Sequence, residues 1–171
     1  KAEKKRGIPA AQIKKNRGQV KEKNPADGPA KKAQDAGIPT LNTFFTQELA
    51  QRLRAEGRVA DVFLANNVLA HVADLNGFVS GIATLLSDTG LAVIECPYLI
   101  DLIDHCEFDT IYHQHLCYFS VTALTHLFRR HGLNLCDVKR VALHGGSLRL
   151  FVDKGTSVSE SVTRLLAHEK Q

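Results

Sequence analysis

The chain has 171 residues, 44% of them hydrophobic, with a formal net charge of +4 and four cysteines, which fits one domain of ordinary size with a buried core. No apolar run approaches the ~20 residues of a membrane span, no signal peptide is visible, and the cysteines contain no C-x-x-C pair, so a disulfide frame or zinc clamp is not expected and a reducing, cytoplasmic setting is. Charge is lopsided: Lys1 to Lys23 holds nine Lys/Arg against two Glu, a net of +7, leaving −3 for the remainder to reach the total. That basic leader could touch nucleic acid, but it has no interleaved aromatics, and charge runs are more often solvated ends, so nucleic acid is not the expected partner.

In chain order, residues 1–23 show no clear period, and from Asn24 the texture changes. Pro25 to Pro29 reads as a turn, followed by a short helix over Ala30 to Ala36 that stops at Gly37. Ile38 to Leu41 reads as a short strand. Thr46 opens an amphipathic helix with Leu49, Ala50 and Leu53 on one face and Gly57 as its stop. Asp61 to Asn66 is a near-continuous apolar strand, as expected with both faces covered. A helix over Leu75 to Leu86 shows Phe78, Val79, Ile82, Leu85 and Leu86 at helical spacing, a core-facing pattern, and it ends at Asp88-Thr89-Gly90.

Leu91 to Glu95 is the next buried strand, and helices follow over Leu99–His105 and Val121–His131, the second capped by Ser120 and Gly132. Leu133–Leu143 and Ser147–Val152 read as strands joined by His144-Gly145-Gly146, a hairpin signal. Ser157 to Glu160 reads as a capping box for a last helix. Strands alternating with helices imply an α/β fold with a doubly wound, mostly parallel sheet closed by an antiparallel hairpin.

The segment Phe108 to His115 concentrates chemistry: Tyr112, His113, Gln114 and His115 put a phenol, two imidazoles and an amide in four consecutive positions before an apolar run. Imidazole takes or gives a proton near neutral pH, a phenol can hold a developing oxyanion, and polar groups so dense cost stability unless they are bonded. On composition alone, a surface loop rich in His is the other reading. His113 and His115 also have a spacing found among metal ligands, with His105, Cys106 or Cys117 nearby, but no third ligand falls at a customary interval, so no metal site is expected. His71, after its apolar strand, also suits a core histidine; His126 and His131 are assigned no role.

Four separated stretches, Leu64 to Val72, Glu95 to Leu99, Phe108 to Ser120 and His144 to Ser147, resemble the S-adenosylmethionine-dependent sugar C-methyltransferases. The resemblance covers about Asn24 to Val152 and implies a Rossmann-like, class I methyltransferase fold. It implies methylation of a carbon next to the keto group of a nucleotide-linked deoxysugar. His115 would then be the general base, Tyr112 and Gln114 would orient the substrate or its enolate, and His71 would line the sugar pocket. Asn24, Asn66 and Asn67 would approach S-adenosylmethionine, and His144 and Gly145 would lie beside the substrate. A carbon next to a ketone becomes a nucleophile only when its proton leaves, so a base and an oxyanion donor are both required.

The chain departs from the family pattern at three places. Gln114 stands where the family has Glu, and Asn24 where it has an acidic residue for the cofactor ribose, after a polar stretch Gln19–Lys23 in place of a buried strand. The glycine-rich cofactor loop, which needs close backbone approach, is not found in Lys1 to Gly18. The first strand, the family's amino-terminal zinc-binding module and its carboxy-terminal domain have no counterpart either. The chain therefore reads as a basic leader (1–23), a partial methyltransferase domain (24–153) and a helix leading to a further domain (154–171). A non-catalytic remnant, or a nucleic-acid-binding protein using the leader, is the alternative. Oligomeric state is not implied.

Overall fold

The computed structural model describes residues 27–171. The basic leader, the polar stretch Gln19–Lys23 and Asn24 lie outside them.

Helices α1 (Asp27–Asp35) and α2 (Gln47–Ala55) come first. The Thr46 hydroxyl accepts from the Leu49 N–H and satisfies a free donor of the first turn of α2, as the Thr-x-x pattern anticipates. Ala50 and Leu53 turn inward, and Gly57 leaves the helix at φ 76°, a conformation that costs glycine nothing. Between the two helices Ile38 to Leu41 is not a strand. Ile38 and Leu41 stay about half exposed, and no strand among the described residues pairs with them.

Strand β1 (Ala60–Asn66) leads through a 3₁₀ turn at Leu69–His71 into α3 (Leu75–Leu85), capped by the Asp74 carboxylate accepting from Gly77 N–H at 2.9 Å. Strand β2 (Leu86–Pro97) begins at Leu86, five residues before the expected Leu91. Ala60 pairs with Leu86 across a bulge, and Gly90 makes that possible: a Cβ there would come 2.8 Å from the Ala60 carbonyl oxygen. After β2 come α4 (Leu99–Asp104) and α5 (Val121–Arg130), the latter capped by Ser120 as anticipated. Strands β3 (Asn134–Val141) and β4 (Ser147–Asp153) form the antiparallel hairpin. Helix α6 (Glu160–His168) is capped by Ser159, not Ser157. The Asp137 carboxylate accepts from both Ser159 and Ser161, at 2.7 and 2.6 Å, and pins the helix start there.

The sheet order is β1-β2-β4-β3, with β1 and β2 parallel and β4 antiparallel to both its neighbours. Three strands therefore point one way and β4, inserted from the hairpin, points the other. This is a mixed, mostly parallel Rossmann-like sheet of the class I methyltransferase type. Rows such as Phe63–Ala92–Val152–Leu135 and Ala65–Ile94–Leu150–Val138 bury one face. Phe45, Phe63 and Phe78 pack there with ring centroids 5.0 to 6.2 Å apart. Gly81 brings α3 close to that cluster, since a Cβ would lie 3.0 Å from Phe45 and 3.2 Å from the Thr46 carbonyl.

The opposite face differs from expectation. Val62 and Leu64 remain 49% and 41% exposed, so β1 alternates buried and open positions, because no described element packs on that side. No helix among the described residues is long and apolar enough to cross a membrane.

Candidate active site

The carboxyl ends of β1 and β2 and the β3–β4 turn all lie on one edge of the sheet, where ligands of open α/β sheets bind. The loops leaving that edge enclose a cavity of about 480 Å³, a size suited to a small-molecule ligand. Asn67, Ala70 and His71 line it from the first loop, Pro97, Glu107, Asp109, Thr110, Tyr112 and His115 from the second, and His144 and Gly145 from the hairpin.

A tight turn brings the phenol and imidazole together: the His115 N–H donates to the Tyr112 carbonyl at 2.9 Å, which folds residues 112 and 115 onto one side. The Tyr112 hydroxyl then lies 3.0 Å from His115 Nε2, and His115 Nδ1 lies 2.8 Å from the Thr110 carbonyl. A carbonyl only accepts, so Nδ1 carries the proton and Nε2 offers its lone pair to the Tyr112 O–H. His71 is held in the same way, its Nδ1 donating to the Gln114 carbonyl at 2.7 Å. The Leu116 N–H reaches the Ala70 carbonyl at 2.8 Å, and the His71 and His115 rings stand 4.8 Å apart. Two imidazoles thus share a tautomer and a cavity because two loops, 43 residues apart for His71 and Gln114, are stitched by backbone acceptors.

The expected residues divide. Tyr112, His115, His71, Asn67, His144 and Gly145 converge on the cavity. Gln114 enters through its backbone carbonyl, and its side chain is not among the lining groups. Asn66 is the exposed last residue of β1, beside the lining residue Asn67, which adopts φ 53° while its N–H holds the Glu95 carbonyl at 2.9 Å. His113 is exposed and off the cavity.

Sequence reasoning gave no lining role to Glu107, Asp109 or Thr110, although the last two lie inside the Phe108–His115 segment and Glu107 adjoins it. It also missed the support beneath the turn. Gly146 has φ 141°, and the buried carboxylate of Asp101, paired with Arg140, fills the space a Cβ would need. Arg140 in turn lies 5.5 Å over the ring of the fully buried Tyr98. On the open face Glu95, 6% exposed, accepts from Arg149 Nε at 2.6 Å. Two of the cysteines are poor nucleophiles by their surroundings: burial pushes Cys96 up to about 12 and Cys136 up to about 11, which disfavours the thiolate.

Residues 8–138, most of the chain, match the family described as Methyltransferase domain. The chain is 34% identical over 150 residues to the C-methyltransferase NovU of Streptomyces niveus, covering 86% of this chain but only 36% of that protein's length. Among solved structures, an O-methyltransferase family protein from Burkholderia thailandensis superposes with a TM-score of 0.52 at 18% identity, over 80% of this chain and 42% of that one. The O-methyltransferase NcsB1 from neocarzinostatin biosynthesis, solved with S-adenosylmethionine and 2-hydroxy-5-methyl naphthoic acid, gives 0.52 at 14% identity, over 74% and 38%. These two likenesses speak to the fold alone. With the family match spanning most of its length, the chain belongs to the methyltransferase domain family.

Proposed function

We propose that this chain is the acceptor-binding and proton-abstracting part of an S-adenosylmethionine-dependent C-methyltransferase, acting on a carbon next to the keto group of a nucleotide-linked deoxysugar. The observation that carries the reading is the orientation of His115: Nδ1 is committed to the Thr110 carbonyl, so Nε2, beside the Tyr112 hydroxyl, is the basic atom at the cavity. The similarity to a C-methyltransferase supports carbon as the methylated atom.

The lining chemistry fits a cationic methyl donor. Among the described lining residues are two carboxylates, Glu107 and Asp109, and no Lys or Arg. Asn66 and Asn67 sit at the end of β1, where they would hold the donor's polar groups. When bound, S-adenosylmethionine supplies a sulfonium-activated methyl group that an enolate carbon can take as the sulfur leaves neutral.

The chain's own residues prepare that carbon. His115 Nε2 takes the proton next to the ketone, and the C–H electron pair moves into the enolate. For this the Tyr112 O–H turns from Nε2 to the ketone oxygen as the acceptor binds, which frees the Nε2 lone pair for the proton, and it stays on that oxygen as the enolate forms. His71, held by the Gln114 carbonyl, supports the sugar from the far side of His115. General-base placement of this kind is worth about 10²–10⁴-fold.

Deuterium exchange tests the reading. A nucleoside-diphosphate 4-keto-6-deoxyhexose in D₂O should lose its α-proton signal with the wild-type chain and not with His115→Asn. Equal exchange by both would remove His115 as the base; methyl transfer to oxygen in a longer protein containing this domain would remove the C-methyltransferase assignment.

A further inference from the structure

We propose that Glu107 is a specificity-determining residue of this cavity, its carboxylate accepting a hydrogen bond from a ring hydroxyl of the acceptor molecule. The inference rests on the reading above that the cavity receives a sugar ring. The Glu107 side chain is 19% exposed and lines the cavity with Tyr112 and His115. No N–H or O–H of the described residues hydrogen-bonds that carboxylate. The nearest cation-forming group, His105 Nδ1 at 3.7 Å, gives its hydrogen to the Gly145 carbonyl at 3.2 Å instead. The side open to this partly exposed carboxylate is the cavity, where a hydroxyl of a bound molecule can take the place of water as its donor. Asp109 lines the same space but is exposed, so water already serves it.

The position of Glu107 is built from both sides. Its N–H donates to the Leu102 carbonyl at 3.0 Å, and its own carbonyl accepts from the Thr110 N–H at 3.1 Å and hydroxyl at 2.8 Å. Across from it stands Gly145 at φ 81°, where any Cβ would overlap the Glu107 carboxylate. The carboxylate thus occupies the volume a side chain at 145 would take, and the hairpin turn backs it against the cavity. A site built to accept from a hydroxyl rejects a molecule lacking it, because the buried acceptor is then left unpaired.

Calorimetry with thymidine diphosphate 4-keto-6-deoxyglucose and its 2-deoxy and 3-deoxy analogues tests this, with thermal melting to confirm that each variant folds. Glu107→Leu should weaken binding of the parent compound roughly 10- to 100-fold, the loss expected for a hydrogen bond to a charged group. On one of the two deoxy analogues the same substitution should change affinity less than about twofold, since the partner is already gone. Glu107→Gln, which keeps an amide oxygen as acceptor, should restore part of the loss. An equal penalty on the parent and both analogues, or no penalty at all, would overturn the inference while leaving the cavity's sugar reading intact. Failure of the wild-type chain to bind the parent compound would remove the sugar reading, and the inference with it.

Discussion

The hydroxyl of Tyr98, at the carboxyl end of β2, donates to Glu169 Oε1 at 3.0 Å, 71 residues further along and one residue past α6. The same carboxylate accepts from the Val121 N–H at 2.6 Å and from the Thr122 N–H and hydroxyl at 2.8 and 2.6 Å. An acid at the start of α5 suits the helix dipole. One side chain thus ties the last helix to the sheet edge that carries the cavity.

Stability should fall at both ends of the pH scale. Burial raises the Glu169 carboxyl, but the hydrogen bonds from Thr122, Val121 and Tyr98 outweigh it and leave the group below its ordinary 4.5. A depressed carboxyl contributes stability above its unfolded value and loses it as pH falls through the folded one. The acid limb should therefore lie below about pH 4.5, and Asp137, lowered by Ser161 and Ser159, adds to it. Burial raises Cys96 from 9.0 to about 12 and pushes the Tyr98 phenol well above 10.0. Raised groups contribute stability below their unfolded values, so the alkaline limb should begin near pH 9. Urea titrations across pH read both limbs, and Glu169→Gln should cost about 1–2 kcal/mol at pH 7 and flatten the acid limb.

Adjacent glycines should answer differently to alanine. Gly145→Ala meets Glu107, a partly exposed carboxylate free to swing, and should cost about 1–2 kcal/mol of backbone strain while weakening acceptor binding. Gly146→Ala meets Asp101, which is 3% exposed and has no room to yield, and should cost more, about 2–3 kcal/mol, by moving this buried carboxylate off the half-exposed Arg140 guanidinium. Chemical denaturation of both variants checks the order; equal losses would contradict it.

Tyr112→Phe removes the donor that faces His115 Nε2 without touching the bond from Nδ1 to Thr110. We expect kcat to drop about 10²-fold with little change in KM in a methyl-transfer assay, as for loss of an oxyanion donor. Nitrogen NMR of the His115 ring should still show a protonated Nδ1, and a switch of tautomer would count against the geometry described here.

Phe78→Ala should cost about 3–5 kcal/mol, since the ring is 2% exposed between Phe45 and Phe63. Thermal melting should show a fall of roughly 10 °C in a chain of this size. A loss below 1 kcal/mol would mean that the α2–α3 seam is not the core it is described as.

Much of this protein is legible along the chain, because its signals are local. Thr46, Ser120, Gly57 and Gly132 each mark a helix end through groups within a few residues, and the α3 face follows from 3.6-residue spacing. The motif at Tyr112 to His115 is likewise local: one turn puts the phenol and imidazole side by side. Where a boundary or a role depends on a distant partner, sequence alone could not decide it. Leu86 joins the strand because Ala60 pairs with it, and Ser159 caps α6 because Asp137 waits on β3. Ile38 to Leu41 has the apolar character of a strand, but no strand among the described residues takes it as a neighbour. Glu107 gains its place only when Gly145, 38 positions later, folds against it, and His71 gains its tautomer only from the Gln114 carbonyl. Side-chain chemistry and short-range hydrogen bonding are written in neighbouring residues; which groups face one another across a cavity is decided by the sheet that brings their loops to one edge.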